Sequence, residues 1–186
     1  MMIDDIMLDA EERMESTISN LVREFSKVRT GRANPNMLEH VSVDYYGVPT
    51  PITQVGNISV PEPNQLVIKP YDRSVVKEVE RAILAANLGV TPSNEGEQVR
   101  IVLPKLTEDT RKALVRDVKK LAEEARVAIR NIRRDANEGI KKLEKASELT
   151  EDDAKGYLED VQELTDRFVE NVGEEFAKKE KDLLSI

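Results

Sequence analysis

The chain has 186 residues, of which 39% are apolar and 34% charged, and its net charge is -8. It is long enough to bury a core, and an aromatic content of 4% favours amphipathic helices over a β-sandwich. The absence of cysteine excludes disulfides, zinc-thiolate sites and thiol catalysis. The composition therefore predicts a mainly helical protein.

Neither a membrane span nor a secretory signal is evident in the sequence. No apolar run approaches the roughly 18 residues of a membrane span. The N-terminus lacks the basic region and apolar run of a secretory signal. We therefore expect a cytoplasmic protein with no membrane partner.

The first 28 residues have a helical pattern, because apolar residues recur at steps of three and four. A glycine and a proline in residues 29–35 end this pattern. The predicted buried face consists of Ile6, Ala10, Met14, Ile18, Leu21, Phe25 and Val28.

Residues 31–104 change to an alternating pattern that is typical of strands. Ser74 is predicted to cap a helix that ends near Gly89. The predicted strands are 40–46, 52–60, 65–69 and 99–103, with a turn at 47–51 and a hairpin turn at 94–97. This segment therefore predicts a small β/α/β module.

Two more long amphipathic helices are predicted after residue 106, the first beginning near Thr107 and the second at Thr150. Three such helices must bury their apolar faces against one another. We therefore expect a discontinuous three-helix bundle of residues 1–30 and 105–186, with residues 31–104 as an inserted small α/β domain. The predicted fold class is α+β.

No residue pattern points to catalysis, a cofactor or a metal. His40 is the one histidine, and the paired carboxylates belong to solvated helix surfaces. No glycine-rich loop has the spacing that cradles phosphates. We expect a protein that is not an enzyme.

Basic residues are concentrated in one segment of this acidic chain. Residues 105–145 have a net charge of +5, whereas residues 146–186 have a net charge of -8. Four arginines fall within nine residues of the basic segment. They are Arg126, Arg130, Arg133 and Arg134.

A helical projection at about 100° per residue separates these charges from the apolar face. With Leu114 at zero, apolar residues lie between about -20° and 80° and eight basic residues between about 100° and 200°, with Glu123 and Glu144 as acidic exceptions in that sector. The basic residues are Lys112, Arg116, Lys119, Arg126, Arg130, Arg133, Arg134 and Lys141.

Two interpretations of the basic sector remain open. The cations could pair with acids of the third helix, and Arg126 and Arg133 at the apolar border are the best candidates for such pairing or for burial of the aliphatic stem. Alternatively, the planar guanidinium groups could bind a phosphate backbone. The second interpretation predicts contact with phosphates and shape rather than base sequence.

Several stretches together resemble the bacterial ribosome recycling factor family, and they occur in the family's order across nearly the whole chain. They are Arg29-Thr-Gly-Arg-Ala33, Asp44-Tyr-Tyr-Gly47 with Pro49-Thr-Pro51, Tyr71-Asp-Arg73, Leu103-Pro with Leu106-Thr-Glu108, and residues 125–137. The resemblance implies an L-shaped molecule of tRNA-like dimensions that acts as a non-enzymatic translation factor after termination.

The resemblance also implies partners. Members of the family bind the 70S ribosome and the 23S rRNA of its large subunit. With elongation factor G and GTP, they promote splitting into subunits and release of mRNA and tRNA. We expect a monomer that does not bind DNA.

By the family pattern, Arg111, Arg130 and Arg133 match rRNA-facing arginines. The projection adds Arg126 and Arg134 to this set. The residues that match the family's hinge are Arg29, Thr30, Gly31, Arg32, Leu103, Pro104 and Lys105. A different class of function also remains open: a coiled-coil chaperone or scaffold whose basic edge binds an acidic protein.

Overall fold

The computed structural model describes residues 1–28 and 30–184, which fall into two compact units. One unit contains residues 1–28 and 108–184, and the other contains residues 30–107. Each unit has a hydrophobic core of its own. Across these described ranges, no helix combines the length and apolar character needed to span a membrane.

The fold is α+β, as predicted. In chain order the elements are α1 (Ile3–Ser26), β1 (Ser42–Tyr45), β2 (Val48–Pro51), α2 (Ile52–Val55), β3 (Gly56–Ser59), β4 (Gln65–Pro70), α3 (Val76–Ala85), β5 (Pro92–Asn94), β6 (Val99–Val102), α4 (Glu108–Lys145) and α5 (Glu151–Leu184).

The first unit is a bundle of α1, α4 and α5, which pack against one another pairwise. The predicted face of α1 is confirmed: five of its seven residues are buried, and Ile18 and Val28 are half-buried. In α4 the core is formed by Val118, Ala122, Ala125, Ile129, Ile132, Ala136 and Ile140. The apolar stripe of each long helix therefore lies inside the bundle.

Local signals define the ends of these helices. Thr150 Oγ1 accepts a hydrogen bond from the Asp153 backbone N–H at 3.1 Å, which confirms the predicted cap of α5. Ser147, between α4 and α5, has a φ of 59°. Lys179 Nζ donates to the Val28 carbonyl at 3.1 Å, just beyond the end of α1. This contact ties α5 to the C-terminal end of α1.

The second unit contains an antiparallel sheet of order β3-β4-β6-β5 and a separate β1-β2 hairpin. Helix α3 packs against strands of both sheets. The predicted hairpin turn at 94–97 is confirmed between β5 and β6, with Gly96 at a φ of 90°. The core includes Leu66, Ile68, Val79, Ile83, Val99 and Ile101.

The predicted turn at 47–51 is wrong, because residues 48–51 form β2. The turn consists of Tyr46 and Gly47, whose φ angles of 52° and 85° suit a tight two-residue hairpin. Among the described residues, β2 pairs with β1 alone and is therefore an edge strand. Pro49 and Pro51, which have no backbone N–H to donate, are tolerated in such a strand.

The predicted strand at 52–60 is wrong in its first half. Residues Ile52–Val55 form one helical turn that buries Ile52 and Val55, three positions apart on one face. The predicted cap of the next helix is also displaced. Asp72 Oδ1, rather than Ser74, accepts the capping hydrogen bond from the Ser74 backbone N–H at 2.9 Å, and α3 begins after a short 3-10 turn.

Candidate nucleic-acid interface

Helix α4 presents a basic edge along its solvent side. We define the basic edge as the eight residues Lys112, Arg116, Lys119, Arg126, Arg130, Arg133, Arg134 and Lys141. Arg126 and Arg133 are half-buried, and the other six are exposed. This agrees with the helical projection, which places Arg126 and Arg133 at the border of the apolar face.

The two sides of α4 face different helices in the middle of the bundle. On one side, Asp135 accepts a hydrogen bond from Arg13 Nη2 of α1 at 3.0 Å. On the other, Arg133 Nη1 donates to Gln162 Oε1 of α5 at 3.4 Å. The basic edge therefore borders α5, and the acidic side of α4 borders α1.

The carboxylate of Glu123 forms ion pairs with two arginines of the basic edge. Arg126 Nη1 lies 3.3 Å from one carboxylate oxygen, and Arg130 Nη1 lies 3.6 Å from the other. The Arg126 side chain is only 23% exposed, whereas that of Arg130 is 45% exposed. Glu123 thus orients two neighbouring guanidinium groups while neutralising part of their charge.

Arg133 and Arg134 lack a carboxylate within 4.0 Å among residues 1–28 and 30–184. Arg133 bonds instead to the neutral amide of Gln162, whose nitrogen donates to Asp166 at 2.9 Å. Within the same described ranges, none of the four clustered arginines pairs with a carboxylate of α5. Pairing with acids of the third helix therefore does not explain why these arginines are present.

Arg111 lies apart from the cluster. It precedes Arg126 by 15 positions, which is about 22 Å along a helix. The projection puts Arg111 at about 60°, in the apolar sector. The residue is accordingly half-buried, and its Nε is buried with no hydrogen-bond partner among the described residues. The five predicted arginines thus form one cluster and one separate position.

The predicted hinge residues have different environments. Arg29 lies outside the described residues. Thr30 Oγ1 accepts from the Arg32 backbone N–H at 3.4 Å, and Gly31 has a φ of 74°. Leu103 is 7% exposed and belongs to the core of the small unit.

Two contacts also hold Leu103 to Asn64. The Leu103 backbone N–H donates to the Asn64 carbonyl at 2.7 Å, and Asn64 Nδ2 donates to the Leu103 carbonyl at 3.3 Å. Pro104 and Lys105 are exposed and lie in the irregular stretch before α4. We call the two chain segments that connect the units, residues 29–32 and 103–105, the first and the second crossing. The second crossing is anchored to the small unit at Leu103, and the chain after Leu103 is irregular up to α4.

Sequence reasoning missed two sets of contacts. The helical projection marks Glu123 as an acidic exception within the basic sector, whereas its spacing of three from Arg126 indicates a helical ion pair. The hydroxyl of Tyr46 donates to the carboxylate of Asp72 and lies 2.9 Å from Ser74 Oγ. No local periodicity could indicate that contact, because it joins turns that are 26 residues apart in the sequence.

The geometry of the cluster suits an anionic polymer. Arg130 and Arg134 are exposed and Arg133 is half-buried, all within five residues of α4. Each guanidinium group is permanently charged and can donate two parallel hydrogen bonds. The segment 146–186, with its net charge of -8, disfavours approach of a polyanion elsewhere on the bundle. Such a surface can bind a phosphate backbone in a preferred orientation.

Comparisons with known proteins identify the family. The family model described as Ribosome recycling factor matches residues 21–184. The chain is 50% identical to the ribosome-recycling factor of Staphylococcus epidermidis, covering 98% of this chain and 99% of that protein. It is 51% identical to that of Geobacillus sp. (strain WCH70), over the whole of both chains.

Two solved structures are similar over nearly the whole chain. A solution structure of the ribosome recycling factor matches with a TM-score of 0.81 and 39% identity, covering all of both chains. The T. thermophilus ribosome recycling factor, described with E. coli elongation factor G on the E. coli post-termination complex, matches with a TM-score of 0.63 and 40% identity, covering 99% of this chain and all of that one. The resemblance found in the sequence is thus confirmed, and the chain belongs to the ribosome recycling factor family.

Proposed function

We propose that the chain recycles post-termination ribosomes by binding 23S rRNA of the large subunit through the basic edge of α4. With elongation factor G and GTP, it promotes splitting into subunits and release of mRNA and tRNA. The observation that supports this most directly is the cluster at Arg130, Arg133 and Arg134, which no carboxylate of α5 neutralises among the described residues. The proposed site of action is the cytoplasm.

Family membership supports the choice of partners. One structurally similar protein is described together with elongation factor G and the post-termination complex. We propose that the post-termination ribosome and elongation factor G are the partners of this chain as well. The proposed rRNA-binding residues are Arg126, Arg130, Arg133 and Arg134 of the basic edge, together with Arg111, which lies outside that edge. Arg126 serves chiefly to support the site, because its side chain is mostly covered and already paired with Glu123.

The mechanism requires a stiff arm and a movable module. The arm is the three-helix bundle, whose continuous core extends along α4 and α5. The module is the small unit, connected through residues 29–32 and 103–105. Elongation factor G would push the module while arginine contacts hold the arm on rRNA. Two short crossings restrict the module to a few directions while still allowing hinge motion.

Co-sedimentation tests the binding surface. We expect the full chain to pellet with vacant 70S ribosomes and with purified large subunits at low salt and to leave them at high salt. The logarithm of the binding constant should fall linearly with the logarithm of the salt concentration, since phosphate contacts release counterions. A chain that stays in the supernatant with both particles at low salt contradicts rRNA binding.

A further inference from the structure

Gln162 of α5 lies between two groups of opposite charge. Its amide oxygen accepts a hydrogen bond from Arg133 Nη1 of α4 at 3.4 Å, and its amide nitrogen donates to Asp166 Oδ1 at 2.9 Å. An ionised carboxylate can only accept hydrogen bonds, so Asp166 selects the nitrogen end of the amide. The oxygen end is thereby turned toward Arg133.

Gln162 is uncharged although the surrounding part of α5 is acidic. Residues 159–170 contain five carboxylates and one arginine. Asp166 lies about 40° from Gln162 on a helical projection, and its carboxylate accepts from the Gln162 amide. The other four carboxylates lie between about 60° and 160° from Gln162 and are exposed; they are Glu159, Asp160, Glu163 and Glu170. The position of α5 that contacts Arg133 is therefore neutral on an acidic helix.

The bond to Gln162 leaves much of the Arg133 guanidinium group available. It uses one N–H of Nη1, so Nε and Nη2 can still donate two parallel hydrogen bonds to a phosphate. Arg133 is half-buried and lies in the cluster with Arg130 and Arg134. A long side chain that is already held by one contact loses less conformational entropy when a ligand binds.

A glutamate at position 162 would also hold Arg133, but it would neutralise the guanidinium charge. Hydrogen bonds between charged groups are shorter and stronger than neutral ones, so the contact with Arg133 would tighten. The added negative charge would lower the positive potential that a phosphate meets at this site. Orientation of Arg133 is thus compatible with glutamine or glutamate, whereas binding of a polyanion favours glutamine.

We infer that Gln162 is a positioning residue for phosphate binding: it orients Arg133 toward the RNA backbone and, being neutral, leaves the charge of Arg133 for the phosphate. This inference rests on the proposed binding of rRNA by the basic edge, and it extends that site from α4 to α5. Asp166 contributes by fixing the orientation of the Gln162 amide.

Two substitutions of Gln162 separate charge from orientation in binding to purified large subunits. We expect Gln162→Glu to lower affinity nearly as far as Arg133→Ala, with a salt slope shallower by up to about 0.7 to 0.9. Gln162→Ala should cause a smaller, several-fold loss with an unchanged slope, because Arg133 keeps its charge but loses its orientation. Circular dichroism should show equal helicity for both variants.

Lys178→Gln is the matched control, because it changes the net charge of α5 by the same amount as Gln162→Glu. The Lys178 side chain is 72% exposed and lies about 160° from Gln162 on the projection. We expect its affinity and salt slope to stay close to those of the parent. An equal loss of affinity in Lys178→Gln and Gln162→Glu would show that the net charge of α5 alone matters, and this would overturn the inference.

Combining each Gln162 variant with Arg133→Ala tests whether Gln162 acts through Arg133. In the Arg133→Ala background both variants should change affinity little, since the side chain that they act on is gone. The same loss with and without Arg133, or parent affinity in Gln162→Glu or in Gln162→Ala, would overturn the inference. Absence of ribosome binding by the parent chain would instead count against the proposed function.

Side-chain NMR without ribosomes decides the inference in that last case. The Arg133 Nε–H signal of the full chain, identified by its loss in Arg133→Ala, is followed during addition of inorganic polyphosphate. We expect a saturable shift in the parent and in Lys178→Gln, with a midpoint several-fold higher in Gln162→Glu and in Gln162→Ala. No shift in the parent, or the parent midpoint in either Gln162 variant, would overturn the inference.

Discussion

Arg133 combines a fixed position with an uncompensated charge. Its hydrogen bond at 3.4 Å is to a neutral amide, so its positive charge is not cancelled. We predict that Arg133→Ala lowers affinity for the large subunit about tenfold or more, as expected when a charged hydrogen bond is lost. The slope of log affinity against log salt should become shallower by about 0.7 to 0.9, because one phosphate contact is removed.

The control for Arg133 removes the same charge from another part of the bundle. Arg23 is exposed in the last turn of α1, so Arg23→Ala should leave both the affinity and the salt slope nearly unchanged. Circular dichroism should show equal helicity for the two variants. Equal binding by both variants across the salt titration would remove Arg133 from the rRNA contacts.

Glu123 provides a test with the opposite sign. Its carboxylate partly neutralises Arg126 and Arg130, and the loss of an exposed ion pair costs little stability. We predict that Glu123→Gln increases affinity for the large subunit by up to about fivefold and steepens the salt dependence. Glu124→Gln, an exposed neighbour outside the basic edge, is the matched control. Weaker binding by Glu123→Gln would show that orienting the two arginines matters more than their net charge.

Tyr46 and Asp72 predict a pH dependence for the contact between the β1–β2 turn and the turn that precedes α3. The hydrogen bond to Asp72 raises the pKa of Tyr46, and the same bond lowers the pKa of Asp72. The contact is therefore intact at neutral pH. It is lost as pH rises through the Tyr46 pKa, above the ordinary value of about 10, or falls through the Asp72 pKa, below the ordinary value of about 4.

An NMR titration of the tyrosine ring carbons measures this effect. In the parent chain, Tyr46 should titrate above the ordinary tyrosine pKa, and Asp72→Asn should move the midpoint downward while preserving an acceptor for the Ser74 N–H. A Tyr46 midpoint that is the same in the parent and in Asp72→Asn would exclude this hydrogen bond in solution.

At the scale of elements, replacement by alanine is predicted to have opposite effects on stability at two glycines. A Cβ added at Gly56 would lie 2.6 Å from the Lys69 carbonyl oxygen, which belongs to the backbone of β4 and cannot move aside. A Cβ added at Gly173, within α5, meets nothing within 4 Å. We predict that Gly56→Ala destabilises the small unit by about 1–3 kcal/mol. Gly173→Ala should stabilise the bundle by up to about 1 kcal/mol.

Amide hydrogen exchange can measure these two effects separately, because it reports on each unit by itself. Gly56→Ala should reduce protection in β3, β4 and β6, and Gly173→Ala should increase protection in α5. Unchanged protection in β4 after Gly56→Ala would show that the two strands can separate without cost.

The long helices could be predicted from the sequence because their apolar spacing persists over many turns. The same spacing placed Arg126 and Arg133 at the border of the apolar face, and the structure shows that both are half-buried. Residues 46–55 could not be predicted in the same way. A two-residue turn and a single helical turn are too short to show a period, and burial of Ile52 and Val55 decides their conformation.

Contacts between side chains were less predictable than the elements that carry them. A projection of α4 places Glu123 within the basic sector, but it does not show that each carboxylate oxygen faces a different arginine. The partner of Arg133 depends on which side of α4 faces α5, and only the packed bundle determines this. The positions of charges could therefore be predicted from the sequence, whereas their partners could not.

At the scale of the whole molecule, the proposal requires that the hinge transmit force. Inserting Gly-Gly-Ser after Lys105 lengthens the exposed second crossing at little entropic cost. We predict unchanged ribosome affinity but slower subunit splitting, because a slack tether lets the small unit move without loading the bundle. The same insertion after Ser147, between α4 and α5, is the control. If the Lys105 insertion split ribosomes at the parent rate, the hinge would not transmit force.

Light scattering of post-termination 70S complexes mixed with the full chain, elongation factor G and GTP tests the proposed recycling most directly. The account predicts a rapid fall in scattering as subunits separate, strongly reduced when Arg130 and Arg133 are both replaced by alanine. Scattering that falls no faster with the chain than with elongation factor G and GTP alone, at a concentration where the chain occupies the ribosomes, would contradict it.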